Sequence, residues 1–216
     1  MPTTLGVAQQ GGPQTGQPFN SLFDRIVPIH NPQDTLRIDC LLLWGGTDIS
    51  ASLYGEEPAS YNEGPAQPSK RDLIEWECIK KCVANNIPII GVCRGAQLLC
   101  VYDGGKLAQD VSGHLNAHNI VTEDGEIFMA AANHHQMMLP RKNAKILATS
   151  TQQLHNGIYV GSADKLHFIT DGTLDPEVVF FPDINAIGIQ PHPEWQDPNT
   201  PFVKWVLDLV HTQFLG

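Results

Sequence analysis

The chain has 216 residues, with 13 basic and 23 acidic side chains and a formal charge of −10. Such acidity excludes a nucleic-acid binder, because neutralising phosphates takes a basic face. Hydrophobic residues make up 42% and charged ones 17%, a balance that favours a buried core over wholesale disorder. No apolar run approaches the roughly 20 residues of a bilayer span. The opening MPTTLGVAQQGGPQTGQ lacks the basic and apolar regions of a secretory signal. Five cysteines, at 40, 78, 82, 93 and 100, give neither a paired disulfide framework nor a CxxC motif. With no internal repeat or low-complexity linker, the expectation is one cytoplasmic domain over residues 1–216, without membrane or nucleic-acid partner.

In chain order, Leu5–Gln9 reads as a short strand, Phe19–Arg25 as one or two helical turns, and Ile26–Ile29 as a second strand. Cys40-Leu-Leu-Leu-Trp44 is a continuous apolar run closed by Gly45-Gly46, the pattern of a strand buried on both faces. A loop rich in Pro, Gly and Glu follows from Thr47 to Pro68. Ser69 as N-cap and Asp72 in the first turn open a helix. Its stripe is Leu73, Trp76, Ile79 and Val83, interrupted at Lys80, and Asn85-Asn86 ends it. Ile87–Val92 is a further apolar strand. Two such strands joined by a helix predict a right-handed βαβ unit and a sheet that is at least partly parallel.

The second half reads differently. Asn119–Phe128 predicts a hairpin around Asp124-Gly125. Lys145–Thr149, Glu177–Phe181 and Ala186–Gln190 predict strands, the last two joined by a turn at Asp183–Asn185. Thr200 as N-cap and Pro201 at the first helical position predict a final helix striped by Phe202, Val206, Leu209, Val210 and Phe214. The whole is an α/β domain with antiparallel pairs late in the chain.

The stretch Pro88-Ile-Ile-Gly-Val-Cys93-Arg-Gly-Ala-Gln-Leu-Leu99 carries the chemistry. A strand runs into Cys93, glycines flank it at 91 and 95, and a helix-forming segment continues to Tyr102. This is the form of a nucleophile elbow, a sharp strand-to-helix turn that holds its nucleophile in a strained backbone conformation. The helix N-terminus favours the thiolate, and the backbone N–H of Arg94 would face the oxygen of a tetrahedral intermediate. Cys40, Cys78, Cys82 and Cys100 lie in apolar segments without glycine framing and read as buried structural residues.

A thiol nucleophile needs a base and the base an orienter. Gly188-Ile-Gln-Pro-His192-Pro-Glu194-Trp195 offers both just past a strand. Prolines at 191 and 193 restrict His192, and Glu194 is placed to reach the far ring nitrogen. Nine histidines raise the question of a metal, but His114, His118, His134 and His135 form no HExxH or paired-carboxylate pattern. The reading is therefore no metal and no cofactor, with His118 and His135 as hydrogen-bonding or surface residues.

Cys93 in its elbow, followed 99 residues later by His192 and then by Glu194, resembles the class I glutamine amidotransferase superfamily. Within it the resemblance is to the gamma-glutamyl hydrolase (peptidase C26-like) branch, and to bacterial gamma-glutamyl-gamma-aminobutyrate hydrolases. Three further segments carry it. Leu42-Leu-Trp-Gly-Gly-Thr-Asp-Ile with Leu53-Tyr-Gly-Glu56 is similar to that branch's glycine turn, and Lys70-Arg-Asp72 with Glu75 to its helix before the elbow. Ala131-Ala-Asn-His134-His135-Gln136 is similar to its substrate segment. The likeness runs from about residue 36 onward, with the first 35 residues shorter than in the family. Pro191 stands where the family has Trp, and Ala131 and Ala132 stand where it has Asn and Ser.

The resemblance implies a three-layer flavodoxin-like fold, its sheet mostly parallel. It implies Cys93, His192 and Glu194 as catalytic residues and an oxyanion hole from the backbone of Gly46 and Arg94. Gly45, Arg94, Gln97, His134 and Gln136 would bind substrate. Cys93 would attack the γ-carbonyl of a glutamine-like amide, and His192 would protonate the leaving amine and then activate water against the thioester. The acidic loop bearing Glu56, Glu57 and Glu63 would favour an amine-bearing leaving group over a polyanionic tail. Three functions remain open at this point: a hydrolase of a small γ-glutamyl conjugate, a glutaminase subunit feeding ammonia to a separate synthetase or ligase, and a non-catalytic relative. The resemblance also leaves room for a homodimer.

Overall fold

A computed structural model describes residues 3–8, 11–169 and 171–216. The first strand, β1 (Thr4–Ala8), is buried throughout, and Gln9, expected to continue it, lies outside the described residues. One 3-10 turn at Phe19–Leu22 precedes β2 (Arg25–Ile29), so Arg25 opens a strand instead of closing a helix. After β3 (Cys40–Leu43) the long loop makes a 3-10 turn at Ala51–Tyr54. Helix α1 (Lys70–Ala84) starts at a reciprocal capping box, with Asp72 N donating to Ser69 Oγ at 3.0 Å and Ser69 N to Asp72 Oδ2 at 2.8 Å. Strand β4 (Ile89–Val92) starts two residues later than expected, after Pro88. Helix α2 (Arg94–Tyr102) follows Cys93 without a break.

Beyond α2 come β5 (Lys106–Ala108), the hairpin β6 (His118–Thr122) and β7 (Ile127–Ala130), β8 (Met137–Leu139) and β9 (Lys145–Ser150). A small hairpin, β10 (Ile158–Val160) and β11 (Leu166–Phe168), precedes the larger pair β12 (Pro176–Phe181) and β13 (Ala186–Ile189). Helix α3 (Pro201–Phe214) ends the chain. Thr200 occupies its N-cap position but makes no capping bond there. Its Oγ1 donates to the Asp197 carbonyl at 2.9 Å, which turns the hydroxyl toward the preceding turn and away from the first helical N–H groups.

Among the described residues the main sheet has nine strands in the order β2-β1-β3-β4-β13-β12-β9-β6-β7. The first five are parallel and the remaining pairings antiparallel. Alternation along β3 and β4 sets the layers. Leu41, Leu43 and Ile89 face a core shared with Ile79, Leu98 and Leu99 of α1 and α2. Leu42, Ile90 and Val92 face the opposite core, with Val203, Val206 and Val210 of α3. Burying each Leu or Ile contributes about 1.5–3 kcal/mol, so a two-faced apolar strand is committed to the middle of three layers.

That topology positions the site. β3, β4 and β13 are neighbours and parallel. Their C-terminal ends therefore lie side by side, and the residues that follow them are Gly45-Gly46, Cys93 and His192. Ligands in open α/β sheets sit outside the carboxyl ends of such strands.

Candidate active site

Cys93 has φ +50° and ψ −108°, outside the regions an L-residue favours. The conformation is held from both sides. Its N–H donates to Ile189 O of β13 at 2.8 Å, and its carbonyl accepts from Gln97 N of α2 at 3.0 Å. The flanking glycines are needed for close approach. A Cβ on Gly91 would lie 2.6 Å from the backbone of Gly95, and one on Gly95 would run into the Leu43 carbonyl. The expected elbow is thus present, with α2 starting at the next residue.

His192 and Glu194 sit in the turn after β13. His192 Nδ1 is 2.8 Å from Glu194 Oε1, and His192 N donates to Ala131 O at 2.8 Å. Burial disfavours the imidazolium, but hydrogen bonding and charge from Cys93 and Glu194 outweigh it and raise the pKa from 6.5 to about 9. Trp195 stacks on the imidazole, with centroids 3.6 Å apart and planes 4° off parallel. No role for that residue was apparent in the sequence.

The glycine turn after β3 faces these groups. A Cβ on Gly45 would lie 3.1 Å from His192 Cε1 and 3.3 Å from Cys93 Cβ, so the turn touches both. Gly46 has φ +133°, and a Cβ there would meet Arg71 Nη1 at 2.5 Å. Arg71 in turn donates from Nη2 to Trp44 O at 3.0 Å and from Nε to Glu75 at 2.8 Å, tying the turn to α1.

A cavity of about 360 Å³ opens at Cys93 and is also lined by Gly46, Gln97, His134 and Gln136. Gln97 Nε2 lies 3.4 Å from both Gln136 O and Gln190 Oε1. The Gln136 amide is fully buried, and neither its oxygen nor its nitrogen has a partner. Of the loop carboxylates, Asp48 and Glu63 line this cavity. Glu56 is held by Lys106 at 2.8 Å and by Gln109 at 3.2 Å. His135 Nε2 lies 3.1 Å from Asp48 and Nδ1 lies 3.2 Å from Asp110. Those two carboxylates raise its pKa to about 9, overcoming burial, and the residue fastens the loop at one wall of the cavity.

Arg94 departs from the substrate-binding role expected of its side chain. Its guanidinium is 2% exposed and pairs with Glu75 through Nη1 and with Asp72 through Nη2. The Asp72 carboxylate thereby serves the capping box and the ion pair together. Sequence spacing alone could not reveal this, because both partners lie about twenty residues away on another helix. The other four cysteines are buried. Burial pushes Cys78 and Cys82 up to about 12 and raises Cys40 and Cys100 as well.

A second polar cluster adjoins the cavity through His134. His114, His134 and Glu177 are buried and offer nitrogen and oxygen atoms within 4.8 Å of one another. The pattern was invisible in sequence because its members come from the segment before β6, the segment before β8 and strand β12.

The peptidase C26 family model matches residues 27–194. Over 179 residues, 78% of this chain and 74% of the relative, the sequence is 31% identical to protein NtpR of Enterococcus hirae. A 75-residue segment, 35% of this chain, is 51% identical to the glutamine amidotransferase-like protein YvdE of Lactococcus lactis and spans 31% of that relative's length. Gamma-glutamyl-CDP-amidate hydrolase of Campylobacter jejuni is 31% identical over 83 residues, 38% of this chain and 36% of that one. The carbamoyl phosphate synthase small chain of Salmonella typhi is 27% identical over 129 residues, 56% of this chain and 33% of that one. Among solved structures, a glutamine amidotransferase from Thermotoga maritima superposes with a TM-score of 0.62 at 12% identity, covering 100% of this chain and 87% of that one.

Proposed function

Since the chain belongs to the peptidase C26 family and is glutamine amidotransferase-like, we propose that it is a cysteine hydrolase that cleaves the γ-glutamyl amide bond of a small conjugate. The observation that carries this reading is the strained Cys93 elbow facing a His192 that is hydrogen-bonded to Glu194. The relative named a gamma-glutamyl-CDP-amidate hydrolase supports the same bond type.

Cys93 Sγ attacks the γ-carbonyl carbon, and the carbonyl oxygen becomes an oxyanion held by the backbone N–H groups of Gly46 and Arg94. His192, protonated and oriented by Glu194, gives its proton to the amine nitrogen as the C–N bond breaks. The γ-glutamyl thioester remains. His192 then takes a proton from water, hydroxide adds to the thioester carbon, and collapse releases glutamate and the thiolate. Gly45, Gln97, His134 and Gln136 shape the glutamyl pocket, and the unpartnered Gln136 amide supplies a donor and an acceptor to substrate. Glu63 at the cavity favours a leaving group that carries an amine.

The test measures glutamate release from a panel of γ-glutamyl amides and peptides beside glutamate and ammonia release from glutamine, with wild type and Cys93→Ala. Preference for a conjugate, abolished in Cys93→Ala, supports the hydrolase. Slow glutamine turnover with no conjugate cleavage favours a glutaminase that hands ammonia to a synthetase, a reading to which the carbamoyl phosphate synthase relative lends weight. Activity surviving Cys93→Ala overturns the mechanism.

A further inference from the structure

Three imidazoles converge on the carboxylate of Glu177 inside the protein. His114 Nδ1 lies 3.3 Å from Oε1, His118 Nε2 lies 2.8 Å from Oε1, and His134 Nε2 lies 3.9 Å from Oε2. The side chains of His114 and Glu177 are wholly inaccessible and that of His134 is 2% exposed. The outward nitrogen of each ring is anchored on an oxygen. His114 Nε2 is 2.9 Å from Asp175 Oδ2, His118 Nδ1 is 3.1 Å from Asn116 O, and His134 Nδ1 is 2.8 Å from Gln136 O.

A backbone carbonyl or carboxylate accepts only, so each anchored nitrogen carries the ring's hydrogen. In the neutral imidazole the inward nitrogens of His114 and His134 are then lone pairs, and both face a carboxylate that is itself electron-rich, whereas His118 Nε2 donates to Glu177 Oε1 at 2.8 Å. Lone pairs turned on one another in a dry interior repel, and they need either additional protons or a cation among them. His114 Nδ1, His134 Nε2 and Glu177 Oε2 have no hydrogen-bond partner. An imidazole whose far nitrogen is fixed on a carboxylate or carbonyl is the arrangement that orients histidine toward a metal.

We infer that His114, His134 and Glu177 form a binding site for a divalent transition metal of the zinc class, with His118 beside it as a hydrogen-bond donor to the Glu177 carboxylate. Nitrogen-rich donors with one carboxylate suit zinc or cobalt better than calcium or magnesium, which take oxygen shells. Two buried carboxylates, Asp175 and Glu177, supply the compensating charge. Bonding at about 2.0–2.2 Å would draw the donors inward from their present spacing. The ion would tie β12 to the segments before β6 and β8. Because His134 lines the Cys93 cavity, this site stands behind the wall of the proposed active site. The inference does not depend on the reaction proposed for Cys93.

The test uses the full chain, stripped with a chelator and titrated with Co²⁺ while its visible d–d absorption is followed, then challenged with Zn²⁺. The expected result is a band that saturates at one equivalent in wild type and in Cys93→Ala, and that disappears when Zn²⁺ displaces the cobalt. His114→Gln and Glu177→Gln, checked for folding by circular dichroism, should lose it. Thermal unfolding of wild type provides a second readout, with the midpoint rising on adding Zn²⁺ as expected for a ligand bound to the native state only. No cobalt band and no zinc-dependent rise in wild type would overturn the inference and leave a cluster charged by protons alone. A band unchanged in both folded variants would also overturn it, by placing the ion elsewhere.

Discussion

Arg94 and Glu75 form a buried ion pair that fastens α2, the helix of the elbow, to α1. The residue next to the nucleophile thus points its charge into the scaffold, where Asp72 completes the clamp. Removing Arg94 would leave the buried Asp72 carboxylate without its ion-pair partner and Glu75 with Arg71 alone. Arg94→Ala is expected to cost about 3–5 kcal/mol in stability, read from the midpoint of urea unfolding. Arg94→Lys should lose less, keeping the charge but not the two-pronged fork. A raised KM with unchanged unfolding would instead mean that the guanidinium meets substrate.

In the proposed mechanism His192 sets the alkaline limit of the reaction. Its pKa is raised above 6.5 to about 9. The imidazolium that the proposal has protonate the leaving amine therefore persists through neutral pH and is lost as pH climbs through about 9. The same sign governs stability. The contribution from His192 is complete below about 6.5 and disappears as pH rises through about 9. The expected kcat/KM profile falls on its alkaline side near pH 9. Glu194→Gln should move that limb to lower pH and reduce kcat by ~10²–10⁴-fold, as loss of an orienting carboxylate does elsewhere. An alkaline limb that stays in place would show that Glu194 does not support the charge.

Gly45→Ala tests how closely the glycine turn is fitted. The added methyl would sit 3.1 Å from His192 and 3.3 Å from Cys93, so both groups would have to give by a few tenths of an ångström. Since a full misplacement of about 1 Å costs ~10²-fold in rate, the expected outcome is a smaller loss of kcat with little change in the unfolding midpoint.

Trp195 is 56% exposed yet lies flat on the His192 ring. An aromatic face against a cation at such an exposed site is worth about 0.5–1 kcal/mol, which corresponds to a two- to fivefold effect on rate. Trp195→Ala should lower kcat by that factor and shift the alkaline limb slightly downward, whereas Trp195→Phe should restore most of both. A change in KM alone would point to contact with substrate.

Alkylation separates the cysteines. The native protein should take up one equivalent of iodoacetamide, at Cys93, and Cys93→Ala should take up none. The other four thiols are buried, and their raised pKa values keep them protonated. Rapid labelling of a second cysteine by mass spectrometry would contradict the packing described for α1.

The parts legible in sequence were those with strong local grammar. The apolar run of β3, the N-cap at Ser69, the Asp124-Gly125 hairpin and the glycine-framed Cys93 each announce themselves within a dozen residues. The strands β5, β8, β10 and β11 did not, because three-residue segments show too little alternation to stand apart from loops. Thr200 had the right identity and place for a cap, but its hydroxyl is turned onto the Asp197 carbonyl of the preceding turn. The role of Arg94 and the gathering of histidines around Glu177 depend on partners far along the chain, and no spacing rule reaches that far.

Cys93, His192 and the glycine turn all hang from the ends of three adjacent strands, β3, β4 and β13, whose apolar side chains fill both cores. The walls of the cavity come from elsewhere, from the loop after Gly46 and from the segment around His134. Insertions or shortenings in those loops would remodel what enters without disturbing the geometry of bond breaking. On the proposed function, this division separates specificity from chemistry, and new specificities should be sought by grafting between Thr47 and Pro68 instead of altering the strand ends.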